Sequence, residues 1–267
     1  MVFLLDFLEN ISQYDDVKYS LSETAFTRKR KLTMENLLFY ILSNGYHTGD
    51  GEVNNFFETI TGDLTSELTL SAVSQRRSLL NPIVFKDMNY DVMNDIFNNA
   101  MGLPKYKGYT VCACDGSIIE LPESPRVRSE FNVPDDNEFE IHRTRGRISC
   151  IVDVETKLVL SSSINDREIK ETTHAIKQLR ELNQVMDLKK SITTFDRGYL
   201  SVELIASMLM LETFFIIRLK KNSFKNERKW IGEDDIIYLN LNRARTNNIE
   251  DPEIKKYVIR LKRLPLR

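Results

Sequence analysis

Cysteine is scarce in this chain: Cys112, Cys114 and Cys150 are the whole complement among 267 residues. Three thiols cannot build a disulfide framework, so an intracellular, reducing setting is expected. Long apolar runs are also lacking. None approaches the roughly 18 consecutive apolar residues a membrane helix needs, so no membrane partner is expected. The apolar start (Val2, Phe3, Leu4, Leu5) is interrupted by Asp6 and Glu9 and has no basic leader, which argues against a secretory signal. The three histidines, His47, His142 and His174, are scattered without zinc-like spacing. No Ser/His or Cys/His arrangement stands out as a covalent nucleophile. The single tryptophan, Trp230, is alone in a polar stretch, where a packing anchor is as good a reading as a surface for stacking a base. Internal repeats and low-complexity segments are missing too.

Nor does one sign of charge dominate. Thirty-seven basic residues face 39 acidic ones, for a net charge of −2. The basic ones cluster, however, at Arg28-Lys29-Arg30-Lys31, at Arg76-Arg77, at Arg218 with Lys220-Lys221, and from Lys255 to Arg267. Any such cluster is more often a solvated face than a site. A near-neutral protein can nevertheless bind nucleic acid through local patches of this kind.

What is present is an ordinary globular composition, 42% hydrophobic and 28% charged, on a chain long enough for one or two domains. The first hundred residues read as mostly helical. Thr33 can cap a helix through Leu37, Leu38, Phe39, Tyr40, Ile41 and Leu42, with Asn44-Gly45 as its stop. Asn54 to Ile60 gives a second helix. Thr69 or Ser71 starts a third carrying Gln75, Arg76 and Arg77, and Asn81-Pro82 ends it. A fourth runs from about Tyr90 to Ala100, before the turn Gly102-Leu103-Pro104.

The pattern then changes. Tyr109 to Ile119 reads as a strand apolar on both faces until it meets Asp115. Arg147 to Val154 and Leu158 to Ile164 read as a hairpin turning at Glu155-Thr156-Lys157. Ile169 to Met186 is helical, Ser191 to Phe195 a short strand, Val202 to Leu211 an amphipathic helix and Thr213 to Leu219 another strand. This order predicts an α/β core with a mixed sheet. The polar stretch beyond Lys221 contains two further strand-like runs, Ile236 to Leu241 and Lys256 to Leu261. The expected division is a helical region at 1–104, the α/β core at 105–221, and the start of a β-rich insertion at 222–267.

Two acids occupy informative places. Asp115 interrupts a strand read as buried, where an unpaired carboxylate costs several kcal/mol. Asp196 ends a strand, and strand ends of α/β sheets face the functional crevice. Brought together, the two would repel unless a cation sat between them, and oxygen donors suit Mg2+ or Mn2+. Their separation along the chain decides nothing alone. Asp196 as a helix N-cap and Asp115 with Gly116-Ser117 as a turn remain open on this basis.

Four motifs go further. Cys114-Asp115-Gly116-Ser117, followed by Leu121-Pro122, resembles the first-aspartate motif of insertion-sequence-four-type transposases. Phe195-Asp196-Arg197-Gly198-Tyr199-Leu200-Ser201 resembles their second-aspartate motif. Phe214 to Lys220 is similar to the strand that follows it. Upstream, Phe26 to Leu32 and Ser71 to Arg77 are similar to the family's helical entry region. The likeness runs in order over nearly the whole chain. It implies a ribonuclease-H-like core, a two-metal Mg2+ or Mn2+ site bridged by Asp115 and Asp196, and strand nicking and joining as in-line displacements at phosphorus. The implied partner is double-stranded DNA at element terminal repeats, with Arg28, Lys29, Arg30, Lys31, Gln75, Arg76, Arg77, Arg197, Arg218, Lys220 and Lys221 as its contacts. A homo-oligomer, or pairing with a full-length transposase, is implied as well, in a bacterial cytoplasm at the nucleoid.

The family's third acid is a glutamate in a Tyr-x2-Arg-x3-Glu-x6-Lys signature on a later helix. Here Tyr257 and Arg260 have the first spacing, but Leu264 stands at the glutamate position. Tyr257 to Lys262 reads as a strand, and Glu250 and Glu253 lie in a polar loop. The expectation is a chain that stops before its third acid and does not transpose DNA alone, or else a non-catalytic DNA-binding product. Cys112 and Cys114 are expected in the core rather than on a metal.

Overall fold

The computed structural model describes residues 11–14, 17–27, 32–43, 50–62, 68–99, 104–134, 142–220, 223, 234–238 and 258–262. The chain divides into two compact units, Met1–Ala100 and Met101–Arg267.

The first unit is helical. α1 (Met34–Leu42) begins where the Thr33 hydroxyl accepts from the backbone N–H of Asn36, a side-chain cap of the kind its sequence promised. α2 spans Asp50–Thr61, longer at both ends than the expected 54–60. α3 (Leu70–Arg77) is capped by Thr69, which accepts from Ala72. α4 spans Ile83–Asn99 rather than starting near Tyr90. α3 ends earlier than expected, at Arg77 with Ser78 as its C-cap, and Asn81-Pro82 instead launches α4. The Asn81 side chain accepts from the N–H of Ile83 at 3.1 Å, and a proline in a first turn forfeits no helical hydrogen bond. Leu37, Leu38, Val53, Phe57, Val73 and Val84 are buried together in one apolar cluster. Two tyrosines tie the unit's start to α4: Tyr14 donates to Asp91 at 2.5 Å and Tyr19 to Asp87 at 3.0 Å.

The second unit is built on a five-stranded mixed sheet in the order β3-β2-β1-β4-β5. Its strands are β1 (Thr110–Glu120), β2 (Arg145–Asp153), β3 (Val159–Asp166), β4 (Ser191–Phe195) and β5 (Phe214–Ile217). β2 runs antiparallel to both β1 and β3, while β4 joins β1 in parallel and β5 joins β4 in parallel. The β2–β3 turn is fixed by Asp153, whose carboxylate accepts from the N–H of Glu155 and the hydroxyl of Thr156, while Lys157 takes φ 64°. A short α5 (Pro125–Glu130) follows β1. α6 (Glu171–Leu182) packs on β2 and β3, and α7 (Val202–Met210) packs on α6 and β5.

Burial alternates along β1, which corrects the expectation of a strand buried on both faces. Thr110, Cys112 and Cys114 are buried, in register with buried Ser191, Thr193 and Phe195 of β4. The opposite face carries Val111 and Ala113, half-buried, and Phe214 and Ile216, exposed. Asp115 is exposed, so its carboxylate needs no buried counter-charge. The strand also continues past it to Glu120, and Gly116-Ser117 makes no turn. Beneath the sheet a polar tie joins α6 to β2. Ser149 donates to the Gln178 side-chain oxygen at 2.7 Å, and the Gln178 amide returns a bond to the Ser149 carbonyl at 3.0 Å. Both residues are buried with their partners satisfied, as interiors require. β6 (Asp234–Tyr238) and β7 (Val258–Lys262) form a separate antiparallel pair. Tyr257 itself lies outside the described residues, and Arg260 is inside β7.

Candidate active site

β1 and β4 lie side by side in parallel, with Cys114 opposite Phe195. The next residue of each is an aspartate. Neighbouring strands are about 4.8 Å apart, so that register brings Asp115 and Asp196, distant in sequence, to one sheet end. Both side chains are exposed there. Asp115 accepts from the N–H of Gly116 at 2.8 Å. Asp196 leaves β4 into a one-turn 3-10 helix, Arg197–Tyr199, and its Oδ1 accepts from the N–H of Gly198. Asp196 is therefore an N-cap, and that role leaves its other carboxylate oxygen available beside Asp115.

The two glycines of the motifs are sites of close approach. A Cβ on Gly198 would lie 2.9 Å from Asp196 Oδ1 and 3.4 Å from Glu171 Oε2. A Cβ on Gly116 would lie 3.2 Å from the Ile148 carbonyl, 3.3 Å from the Tyr199 hydroxyl and 3.4 Å from Glu171 Cγ. Between them runs the side chain of Glu171, the first residue of α6, ion-paired through Oε1 to Arg147 of β2. Arg147 also donates from Nε to the Arg167 carbonyl at 3.2 Å. Glu171 carries no signal in the sequence, because an acid in a helix's first turn is ordinary.

Tyr199 is fully buried, stacked at a tilt on Phe195 with centroids 5.5 Å apart. Its hydroxyl is buried next to the Cys114 thiol. Burial raises its pKa, and the neighbouring Cys114, Glu171 and Asp115 charges act in the same direction. The tyrosine is a neutral donor at any working pH. Cys114 is likewise pushed up to about 12 by burial, which leaves a core thiol rather than a thiolate ligand. Cys112 is buried as well, in keeping with its expected core role.

The expected DNA contacts fall into three groups. Arg197 and Arg218 are exposed beside the aspartates, and the Arg218 N–H donates to the carbonyl of Phe195, the residue before Asp196. Lys220 is exposed two residues further on. On α3, Gln75 and Arg77 are exposed, while Arg76 turns inward: its guanidinium lies 4.7 Å over the Phe26 ring and donates to the Leu32 carbonyl. Arg28, Lys29, Arg30, Lys31, Lys221, His47 and Trp230 lie outside the described residues.

Two exposed carboxylates at one sheet end, offering hard oxygen donors, fit a magnesium-like cation that keeps part of its water. Among the described residues no three His, Cys, Asp or Glu side chains converge closely enough to hold an ion together. Among the same residues no helix is long and apolar enough to cross a membrane.

The second unit is thus a five-stranded mixed sheet with flanking helices, in which Asp115 and Asp196 follow a registered pair on neighbouring parallel strands. The sequence pattern described as "Transposase DDE domain" matches residues 106–264, more than half of the chain, and the chain belongs to that family. No curated protein matches the sequence. Among solved structures, a piggyBac transposase synaptic complex with hairpin DNA is similar at 13% identity, over 89% of this chain and 56% of that one, with a TM-score of 0.38. A Mos1 mariner paired-end complex with Mn is similar at 10% identity, over 85% of this chain and 77% of that one, with a TM-score of 0.28. A simian T-cell lymphotropic virus intasome matches at 16% identity, over 51% and 45%, with a TM-score of 0.27. The chain thus spans about half the length of the first two of these proteins in rank, the intasome and piggyBac chains. Family membership rests on the sequence pattern.

Proposed function

We propose that this chain is the transposase of a bacterial insertion sequence of the insertion-sequence-four type, working in the cytoplasm at the nucleoid. Its substrate is double-stranded DNA at the element's terminal repeats, and its reaction is metal-dependent nicking and strand transfer. One observation carries the reading: the Cys114–Phe195 register sets Asp115 and Asp196 next to each other, in a family defined by such acids.

In this reading Asp115 and Asp196 supply carboxylate oxygens to Mg2+ or Mn2+. Bound there, the metal supplies activation of the attacking oxygen and charge neutralisation on the leaving one. Arg197 and Arg218, exposed beside the pair, hold phosphates by charge and hydrogen bonds. Gln75 and Arg77 on α3 are DNA contacts in the same reading, with Arg28 to Lys31 and Lys220-Lys221 as further basic groups. The neighbours' synaptic and paired-end complexes support a chain that works as a pair of copies across two ends.

The test is nicking of element-end DNA by the full chain with Mn2+. Asp115→Asn or Asp196→Asn should each cut the rate at least about 10³-fold, the scale of several kcal/mol of lost charge stabilisation, with DNA binding retained. Cleavage surviving either change would overturn the metal assignment. Wild-type binding without any metal-dependent cleavage would instead favour a non-catalytic product that competes for element ends.

A further inference from the structure

Glu171 is not part of either aspartate motif, yet its side chain occupies the seam between them. Its Cγ lies against Gly116, next to Asp115, and its Oε2 faces Gly198 across from Asp196 Oδ1. Arg147 holds the other oxygen, Oε1, so the carboxylate is fixed rather than free to swing into solvent. The glycines make this possible. Any side chain at 116 or 198 would meet Glu171 within 3.4 Å.

A second observation points to the same seam. The Tyr199 hydroxyl, 3.3 Å from the Gly116 Cβ position, is buried at the same seam beside the Cys114 thiol. Its placement beside Glu171 and Gly116 marks polar ground next to the aspartate pair. Glu171, at the start of α6, thus lies against the glycines that neighbour Asp115 within β1 and Asp196 just past β4, with one held arginine to offset its charge.

We propose that Glu171 sets the cation affinity of the Asp115–Asp196 pair, resting on the metal reading given above. It acts through its charge and not as a third ligand, since no three acidic groups converge as direct ligands among the described residues. Arg147 tunes it, by cancelling part of that charge and fixing its direction. Outer groups of this kind change metal affinity by about 10- to 100-fold in known sites.

The probe is Mn2+ alone, titrated into the full chain without DNA and read as free Mn2+ by electron paramagnetic resonance. Asp115→Asn and Asp196→Asn should abolish binding. Glu171→Gln should weaken it by about tenfold, Glu171→Asp should recover most of the loss, and the Glu171→Gln effect should shrink in 1 M salt. Arg147→Met should move the affinity the other way, tightening it, because the site becomes more negative. A role confined to the ion pair predicts the opposite pattern, with Glu171→Gln and Arg147→Met weakening binding alike, and that result overturns the proposal. Wild-type affinity in Glu171→Gln, with binding lost in Asp115→Asn, overturns it too while leaving the metal reading intact. Binding that survives both aspartate changes removes the metal reading and this proposal together. Should Glu171→Gln fail to fold by circular dichroism, the sign of the Arg147→Met shift decides alone.

Discussion

Gly198 fixes how near a side chain can come to Asp196. A methyl group there would stand 2.9 Å from the carboxylate oxygen that caps the turn, closer than such contacts tolerate. That oxygen is the far end of a short side chain, so it would move, and the aspartate would leave its position beside Asp115. We expect Gly198→Ala to lower the single-turnover nicking rate by about 10²-fold, the usual consequence of a displacement near 1 Å at a reacting centre. Stability should change by no more than about 0.5 kcal/mol, because the residue is exposed. Unchanged nicking alongside unchanged thermal unfolding would mean that Asp196 tolerates the methyl group and is not held by this turn. The two aspartate motifs stand out in the sequence because each is a run of several distinctive residues. Glu171 does not, for its proposed role depends on two gaps left by glycines far away along the chain.

At the level of elements, short-range chemistry was the most legible part. Thr33 caps its helix as its sequence suggests, Thr69 rather than the alternative Ser71 caps the next one, and Ser191 to Phe195 is a strand. The misses arose where one local signal had two meanings. Asn81-Pro82 was read as a stop, although the same pair satisfies the first turn of α4. β1 was read as buried on both faces because Val111, Cys112, Ala113 and Cys114 are all apolar or small, a pattern that cannot tell a covered face from an open one. α6 shows how the site depends on an element with no functional signature. Ala175, Leu179 and Leu182 are buried on β2 and β3, so the helix start that carries Glu171 is placed by packing at its other end. Leu179→Ala should destabilise the chain by about 2–5 kcal/mol in urea unfolding, from lost burial plus the cavity left behind. A loss below about 1 kcal/mol would show that α6 is not anchored there.

Across the whole molecule, a net charge of −2 offers no general attraction to DNA, so binding must come from patches that face phosphates. The structure sorts the basic residues in advance. Arg197 and Arg218 are exposed beside the aspartate pair, and Arg77 is exposed on α3. Arg76, its neighbour in sequence, is turned over Phe26 and bonded to Leu32. Each phosphate neutralised releases counterions, which makes the logarithm of the binding constant fall with the logarithm of salt by about 0.9 per contact. Arg197→Ala and Arg218→Ala should therefore each weaken binding to element-end DNA and reduce that slope by about one. Arg76→Ala should leave the slope as it is and lower the unfolding midpoint instead, because it removes an internal stack and a hydrogen bond. Binding isotherms from 50 to 300 mM salt separate the two classes. If Arg76→Ala flattened the slope while Arg197→Ala and Arg218→Ala did not, the phosphate contacts would belong to α3 rather than to Arg197 and Arg218, and the proposed strand cleavage would lose its means of holding the phosphate at the metal.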